Sequence, residues 1–330
     1  MVRGIGFDKV NPMRLALVFA ALAAVQVAAQ QQVVDQSFNT AVVNAAFPRG
    51  KGPVVAIDEA HSNFHTAGGQ YRPLADLLSA DGYRVVASTH KFDAGVLADV
   101  NVLVIANARD LAAILSGDLS KPAFTERECN VVRDWVRAGG SMLLIADHAP
   151  FGQAAATLGE RFGVAMGKGW TFDRTTGGGI TTQLDFSRDN GLLGDHAILR
   201  GRGAGETIRR LRSFTGQSLG APAGATVLMR LSPTARDAMT PADLDAEDAA
   251  ARGSDPASRG THSVAPAGPA QGIAMAFGAG RVVVLGEAAM LSAQVIRYPD
   301  GKAMQFGMNA PGNDDRQFAL NVFHWLSSGR

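Results

Sequence analysis

The first half of the chain alternates continuous apolar runs with segments whose apolar residues recur at helical spacing. Four runs are apolar at nearly every position: residues 53–58 (PVVAID), 83–89 (YRVVAST), 101–108 (NVLVIANA) and 141–147 (SMLLIAD). A continuous apolar run is typical of a strand in a parallel sheet that is covered on both faces. Strands and helices that alternate at this spacing predict right-handed βαβ units. We therefore expect an open, doubly wound, mostly parallel α/β sheet.

Helix signals occupy the gaps between these runs. One helix pattern ends at Gly82, a short one lies near residues 93–97, and another occupies residues 154–162. The clearest signal is Thr125 with Glu128, because this T-x-x-E spacing is that of a capping box at a helix start. The amphipathic pattern that follows predicts a helix leading into the fourth strand.

The second half of the chain is less regular. Strand patterns recur at residues 207–214, 226–231, 272–277 and 281–285, and Gly278-Ala279-Gly280 predicts an antiparallel hairpin between the last two. Residues 232–269 are rich in Pro, Ala and Asp, so we expect a long irregular surface loop that is disordered or forms a lid. Residues 316–326 read as a closing amphipathic helix.

The N-terminal residues have the pattern of a secretory signal. Arg3, Lys9 and Arg14 precede an apolar run at residues 15–29, which ends in Val-Ala-Ala. This pattern predicts a signal peptide at 1–29 and export to the periplasm or medium. The run is short for a membrane span, so we expect no stable span after processing; an uncleaved anchor is the alternative. After the signal peptide, we expect an N-terminal extension at residues 30–52 and a single domain at residues 53–330.

Composition excludes several classes of function. The net charge is +1, with 31 basic and 30 acidic residues, so nothing indicates a nucleic-acid partner. Cys129 is the only cysteine and lies in a helix pattern, which favours a buried small side chain. The glycine run 177–179 lacks the Gly-Lys-Ser/Thr of a phosphate loop, and we expect no bound nucleotide.

Polar residues gather just past the ends of the predicted strands. In a doubly wound sheet, ligands bind at the carboxyl ends of the strands. The residues at or just past these ends are Asp58, His61, Asn63, His65, His90, Asn107, Asp147, His148 and, after the late strand, Glu287. If the sheet forms, these side chains meet at one edge, which we predict to be the functional site.

These residue types suit two kinds of chemistry. His61, His65, Asp147 and His148 are candidate ligands for Zn²⁺ or a similar divalent metal. The set Asp58, His61, Asp147, His148 and Glu287 could instead activate water by acid–base catalysis. Ordinary roles compete with both: Asp58 could cap the next turn, and Glu287 could sit in the first turn of a helix.

A weaker candidate is Ser218. Residues 216–220 read Gly-Gln-Ser-Leu-Gly, which matches the G-x-S-x-G motif of serine hydrolases. A nucleophile elbow needs a helix after the serine, and here Ala-Pro-Ala-Gly follows instead. A serine esterase is therefore kept only as a minor alternative.

Four segments carry a family resemblance. The stretches VVAIDEAHSNFHTAGGQYRPLADLLSADGYRV, FTERECNVVRDWVRAGGSMLLIADHAPFG, and GRVVVLGEAAMLSAQ with GMNAPGNDDRQFALNVFHWLS together resemble an uncharacterised family of exported bacterial proteins. Its domain is similar to the class I glutamine amidotransferase-like fold. The strand followed by a polar turn with a histidine also looks like the trehalose-utilisation type of this domain.

The chain departs from that resemblance at the catalytic positions. Amidotransferases of this class place a nucleophilic cysteine after such a strand and a histidine in a late H-x-E. Here Asp147 and His148 occupy the turn, and neither His262 nor His324 is followed by x-Glu. The catalytic triad is absent, so the resemblance implies the fold without glutaminase activity.

Two functions remain open on the sequence. The first is an exported hydrolase that acts on an ester, lactone, amide or glycosidic bond, with or without a metal. The second is a non-catalytic binding or assembly domain on the same fold, with a small-molecule, glycan or peptide ligand. Whether the chain is an enzyme at all depends on which of these holds.

Overall fold

The computed structural model describes residues 31–118, 121–253, 260–298 and 300–328. The predicted signal peptide lies outside the described residues. Within those ranges, none of the helices has the length and apolar character needed to cross a membrane.

A large, mostly parallel sheet organises the described chain. Its five parallel strands are β2 (Val54–Asp58), β3 (Arg84–Ser88), β4 (Val102–Ala106), β5 (Ser141–Ile145) and β15 (Gly280–Leu285). The others pair antiparallel: β6 (Ala165–Met166), β11 (Leu219–Gly220), β12 (Thr226–Arg230) and β14 (Ala270–Phe277). The strand order is β3-β2-β4-β5-β15-β14-β11-β6, with β12 paired to β14. This confirms the α/β fold with a hairpin, here β14–β15, in the second half.

Three small antiparallel sheets lie beside the large one. Their members are β1 (Gln31–Val34), β16 (Ala293–Arg297) and β17 (Ala303–Gly307); β7 (Trp170–Arg174), β8 (Ile180–Thr181) and β13 (Arg236–Ala238); and β9 (Leu184–Ser187) with β10 (Arg210–Ser213). Residues 31–34 of the predicted extension therefore form a strand with the C-terminal part of the chain.

Seven α-helices occur among the described residues: α1 (Arg72–Ala80), α2 (Leu111–Ser116), α3 (Glu126–Arg137), α4 (Phe151–Glu160), α5 (Ala197–Arg200), α6 (Pro241–Arg252) and α7 (Asp315–Ser327). The capping box of α3 forms as predicted: the Glu128 N–H donates to Thr125 Oγ1, and the Thr125 N–H donates to the Glu128 carboxylate. The two reciprocal bonds fix where α3 begins.

The apolar runs are continuous because both faces of the sheet are covered. In β5, Leu143 and Ile145 enter one core with α1 and α7, whereas Met142 and Leu144 enter the other core with α3 and α4. Successive strand residues point to opposite faces, so each of them must be apolar. Burial of each such side chain contributes about 1.5–3 kcal/mol to folding.

Two local predictions were wrong. Residues 94–99 form turns and not a short helix. The segment 232–269 is not an irregular loop throughout its described part, because it contains β13 and α6. Thr240 caps α6 by accepting the Asp243 N–H, and Pro241 stands at the first position, where it suits a helix. These local hydrogen bonds order a segment whose composition alone indicates disorder.

Candidate functional site

The carboxyl ends of four parallel strands meet at one edge of the large sheet. Asn107, after β4, joins its neighbours: its Oδ1 accepts the Asp147 N–H at 2.9 Å, and its Nδ2 lies 3.2 Å from His65 Nδ1. Asn63 Nδ2 donates to Asp58 at 3.0 Å. We call this set the polar edge: Asp58, His61, Asn63, His65, Asn107, Asp147, His148 and Glu287. The fold places these residues where the sequence predicts a site, and their functional role stays a prediction.

His61 is held between two carboxylates. Its Nδ1 lies 2.8 Å from Asp58 Oδ2, and its Nε2 lies 2.9 Å from Glu128 Oε1. The ring is fully buried and packs against the rings of Phe92 and Phe124. A buried imidazole with both nitrogens engaged has none left for a substrate, so this contact stabilises the edge and contributes no free base.

Glu128 belongs to both the α3 cap and this hydrogen bond to His61. Burial raises the pKa of Glu128, but hydrogen bonds from the Thr125 amide and the His61 ring outweigh it and hold the pKa at about 2. One carboxylate therefore fixes the helix start and the position of His61 together. The sequence indicates only the first of these roles, because His61 is 67 positions away.

The four predicted metal ligands do not converge. Among the described ranges, no group of three or more His, Cys, Asp or Glu side chains is arranged to hold a metal ion. His61 is committed to Asp58 and Glu128, and His65 Nδ1 is within hydrogen-bond distance of the Asn107 amide. This donor set does not fit a divalent metal, so no step below uses one.

Asp147 and Glu287 form an inner pair of acids. Burial raises the pKa of Asp147 to about 6, although His148 and hydrogen bonds from the His148 and Ala288 amides partly offset the effect. Burial, and then the charge of Asp147, raise the pKa of Glu287 well above its ordinary value. The Glu287 carboxylate accepts the N–H groups of Ala289 and Met290 at 2.7 and 2.8 Å. Glu287 thus caps a 3₁₀ turn, while Asp147 is a carboxyl group that titrates near neutral pH.

His148 is half-buried and therefore more exposed than its neighbour Asp147. Its Nδ1 is 2.8 Å from the carbonyl of Ala149, which fixes the proton on Nδ1 and leaves Nε2 with a free lone pair. The ring stacks on Trp170 at 5.2 Å between centres and lies 6.2 Å from the ring of Phe151. His148 and Trp170 are half-buried and give the outer part of the edge an exposed aromatic portion, whereas Phe151 is buried.

Asn107 of the polar edge and Ser62, between His61 and Asn63, have left-handed backbones. Ser62 and Asn107 are the described non-glycine residues with positive φ, at 47° and 50°. This left-handed region costs about 1–3 kcal/mol outside glycine, and such residues cluster at functional sites. Asn107 uses the conformation to contact both Asp147 and His65, which supports a site at this edge.

His65 is a buried neutral imidazole. Burial lowers its pKa to about 3, and its ring lies 4.6 Å from that of Tyr71. Tyr71 is fully buried and its hydroxyl donates to the carbonyl of Ala288 at 3.0 Å. The neutral form of His65 therefore belongs to the folded state.

We expect His65 to make the protein sensitive to acid. The pKa of His65 in the folded protein is below the unfolded value of 6.5. Its contribution to the free energy of unfolding is therefore present above pH 6.5 and is lost as the pH falls towards 3. The full loss would be up to about 5 kcal/mol. His65→Gln, which keeps an acceptor for Asn107, should flatten the fall in unfolding free energy below pH 6.5 in urea titrations. His90→Gln, at an exposed position, should leave that fall unchanged; equal curves for the two variants would contradict the assignment.

Ser218 does not have the surroundings of a nucleophile. It is fully buried, its hydroxyl donates to Asp237 at 2.6 Å, and it accepts the Ala267 N–H at 2.7 Å. No histidine takes part in these hydrogen bonds, and the short strand β11 follows where a helix is required. These hydrogen bonds favour a structural role for the Ser218 hydroxyl, and the serine-esterase alternative stays an untested prediction.

Several residues near the edge were missed by reasoning from the sequence. They are Glu128, Tyr71, Trp170, Phe151 and Arg109. The capping box identifies Glu128 in the sequence as a helix-start residue, but not as a partner of His61. No sequence spacing connects Trp170 to His148, which lies 22 positions earlier. These contacts depend on chain crossings that only the fold defines.

Comparisons with known proteins concern the fold. No protein-family model matches the chain, and neither does any curated protein. The chain is similar to a solved structure described as the mmIFT52 N-terminal domain, with a TM-score of 0.53 and 13% identity over 84% of this chain and 98% of that one. At this identity, the likeness shows the fold alone.

Two further solved structures match more distantly. A putative ThuA-like protein from Bacteroides uniformis has a TM-score of 0.43 and 12% identity over 86% of this chain and 96% of that one. A β-galactosidase from Rahnella sp. R3 has a TM-score of 0.37 and 11% identity over 84% of this chain and 32% of that one. Neither match bears on the activity of this protein.

Proposed function

We propose that the protein is a hydrolase whose acid–base groups are Asp147 and His148. The observation that carries this proposal is the Asp147 carboxyl, whose pKa burial raises to about 6 beside an imidazole with a free Nε2. A general acid or base works best with a pKa near the working pH. Perturbed carboxyl groups at the carboxyl edge of an α/β sheet are frequent at active sites.

The two side chains suit complementary roles. His148 Nε2 would take a proton from water as the water oxygen attacks the scissile carbon. Asp147, in its protonated form, would give its proton to the leaving oxygen or nitrogen. An ester, lactone, amide or glycosidic bond fits this scheme, with a small-molecule, glycan or peptide substrate. Asp58, His61 and Glu287 would position the edge, because their polar atoms are engaged within the protein.

The test is His148→Ala. We expect this variant to lose about 10²–10⁴-fold in turnover, the usual contribution of general acid–base catalysis, and to remain folded. The measurement is turnover of chromogenic esters, lactones, amides and glycosides, with His262→Ala, at an exposed position, as a control of equal size. Turnover that is unaltered in His148→Ala would remove this mechanism.

A non-catalytic binding domain is the second candidate. The engagement of Asp58, His61 and Glu287 in internal hydrogen bonds favours it, because these side chains act as structural supports. A binding domain returns its ligand chemically unchanged after long incubation, whereas a hydrolase returns two products. Mass spectrometry of the incubated ligand separates the two functions. Export remains a proposal that rests on the sequence of residues 1–29.

A further inference from the structure

Arg109 stands at the polar edge two residues after Asn107. Its backbone N–H donates to the carbonyl of His61 at 2.7 Å, which ties this position to the edge. The guanidinium carbon lies 5.5 Å from the centre of the Phe151 ring. A cation over an aromatic face at this distance is attracted by the ring and held in place. Phe151 thus lies next to both Arg109 and His148.

The charge of Arg109 is not neutralised by the protein. In the part of the chain that the structure describes, no carboxylate lies within ion-pair distance of its guanidinium. Arg202, Arg210 and Arg212, by contrast, each pair with a carboxylate. The Nε of Arg109 is also buried and has no hydrogen-bond acceptor. A buried donor without an acceptor is costly, and the half-buried side chain makes no hydrogen bond to the described protein that would offset this cost.

We propose that the ligand of this site carries a carboxylate, which Arg109 binds while the body of the ligand packs against Phe151, His148 and Trp170. The planar guanidinium offers paired N–H groups that match the two oxygens of a carboxylate. The stacked rings of His148 and Trp170 are both half-buried and offer an aromatic contact on the same side of the edge as Phe151. This inference rests on the proposed function, because it names the substrate class of the same site.

The experiment measures binding of matched pairs of compounds by titration calorimetry with the full-length protein at low salt. The pairs are galacturonate with galactose, phenylacetate with phenylacetamide, and glycerol 3-phosphate with glycerol. We expect a carboxylate member to bind about tenfold or more tightly than its neutral partner. Arg109→Gln should weaken that binding about tenfold to hundredfold, with no change for the neutral partner.

Two further variants sharpen the test. Arg109→Lys keeps the charge without the paired donors and should show an intermediate loss; it also replaces Arg109→Gln if that variant fails to fold. Arg49→Gln removes the same charge at an exposed position and should bind as the wild type does. Equal binding by Arg109→Gln and Arg49→Gln would overturn the proposal.

The remaining outcomes are equally decisive. No preference for any carboxylate member, or a preference for glycerol 3-phosphate alone, would overturn the assignment of a carboxylate. Turnover that requires His148 but ignores Arg109 would keep the hydrolase and remove this inference. Carboxylate binding that requires Arg109, with no turnover of any substrate, would keep this inference and remove the hydrolase.

Discussion

Replacing His61 by alanine is expected to lower the free energy of unfolding by about 3–5 kcal/mol, because the change removes a fully buried ring and leaves two carboxylates without their shared hydrogen-bond partner. The imidazole lies between Asp58 and Glu128, and its loss leaves two carboxylates facing a cavity lined by Phe92 and Phe124. The measurement is equilibrium unfolding in urea, followed by circular dichroism. The same substitution would also remove the hydrogen bond that links Glu128 to the polar edge.

Two controls separate this structural role from catalysis. His90→Ala removes an exposed histidine after β3 and should change stability by less than about 0.5 kcal/mol. The double variant His61→Ala with Glu128→Gln should cost less than the sum of its parts, because the second change removes a carboxylate that the first leaves unpaired. A His61→Ala protein that is as stable as the wild type but inactive would show that His61 is a catalytic group after all.

The sequence predicts the large sheet well because the sheet is built from local signals. A strand covered on both faces must be apolar throughout, so β2, β4 and β5 are visible as uninterrupted runs. The start of α3 is equally visible, because Thr125 and Glu128 are only three positions apart. The small sheets are harder to predict, since strands such as Ala165–Met166 are two residues long and are defined by their partners.

The polar edge was predictable in position but not in function. The rule that strand ends meet in a doubly wound sheet locates Asp58, Asp147 and Glu287 without any knowledge of contacts. Which of these side chains is not engaged in hydrogen bonds within the protein is decided by residues distant in sequence. Glu128 engages His61, and the backbone of Ala288 lies between Tyr71 and Asp147. Helix α6 shows the opposite case. Its local start signal at Thr240-Pro241 is present in the sequence, but the composition of residues 232–269 led to the wrong prediction of an irregular loop.

Replacing Asp147 by asparagine is expected to abolish turnover and to stabilise the protein above pH 6. Burial raises the folded pKa of Asp147 from 3.8 to about 6, so the folded state holds a proton that the unfolded state has lost. Stability due to this group is therefore greatest below pH 3.8 and falls as the pH rises through 6. The ionised carboxylate costs the folded protein about 1–3 kcal/mol at pH 8, and asparagine removes that cost.

The opposite signs of the two effects make this variant informative. Most substitutions of buried polar residues destabilise a protein, whereas a group kept for function despite its cost gives stability when it is removed. Urea unfolding at pH 5 and pH 8 should show a gain for Asp147→Asn at pH 8 that shrinks at pH 5. The exposed Asp245→Asn in α6 removes the same charge and should show neither effect. A loss of stability at pH 8 would mean that Asp147 is a structural hydrogen-bond acceptor. The polar edge would then hold no carboxyl group suited to proton transfer. That result would favour the binding domain over the hydrolase.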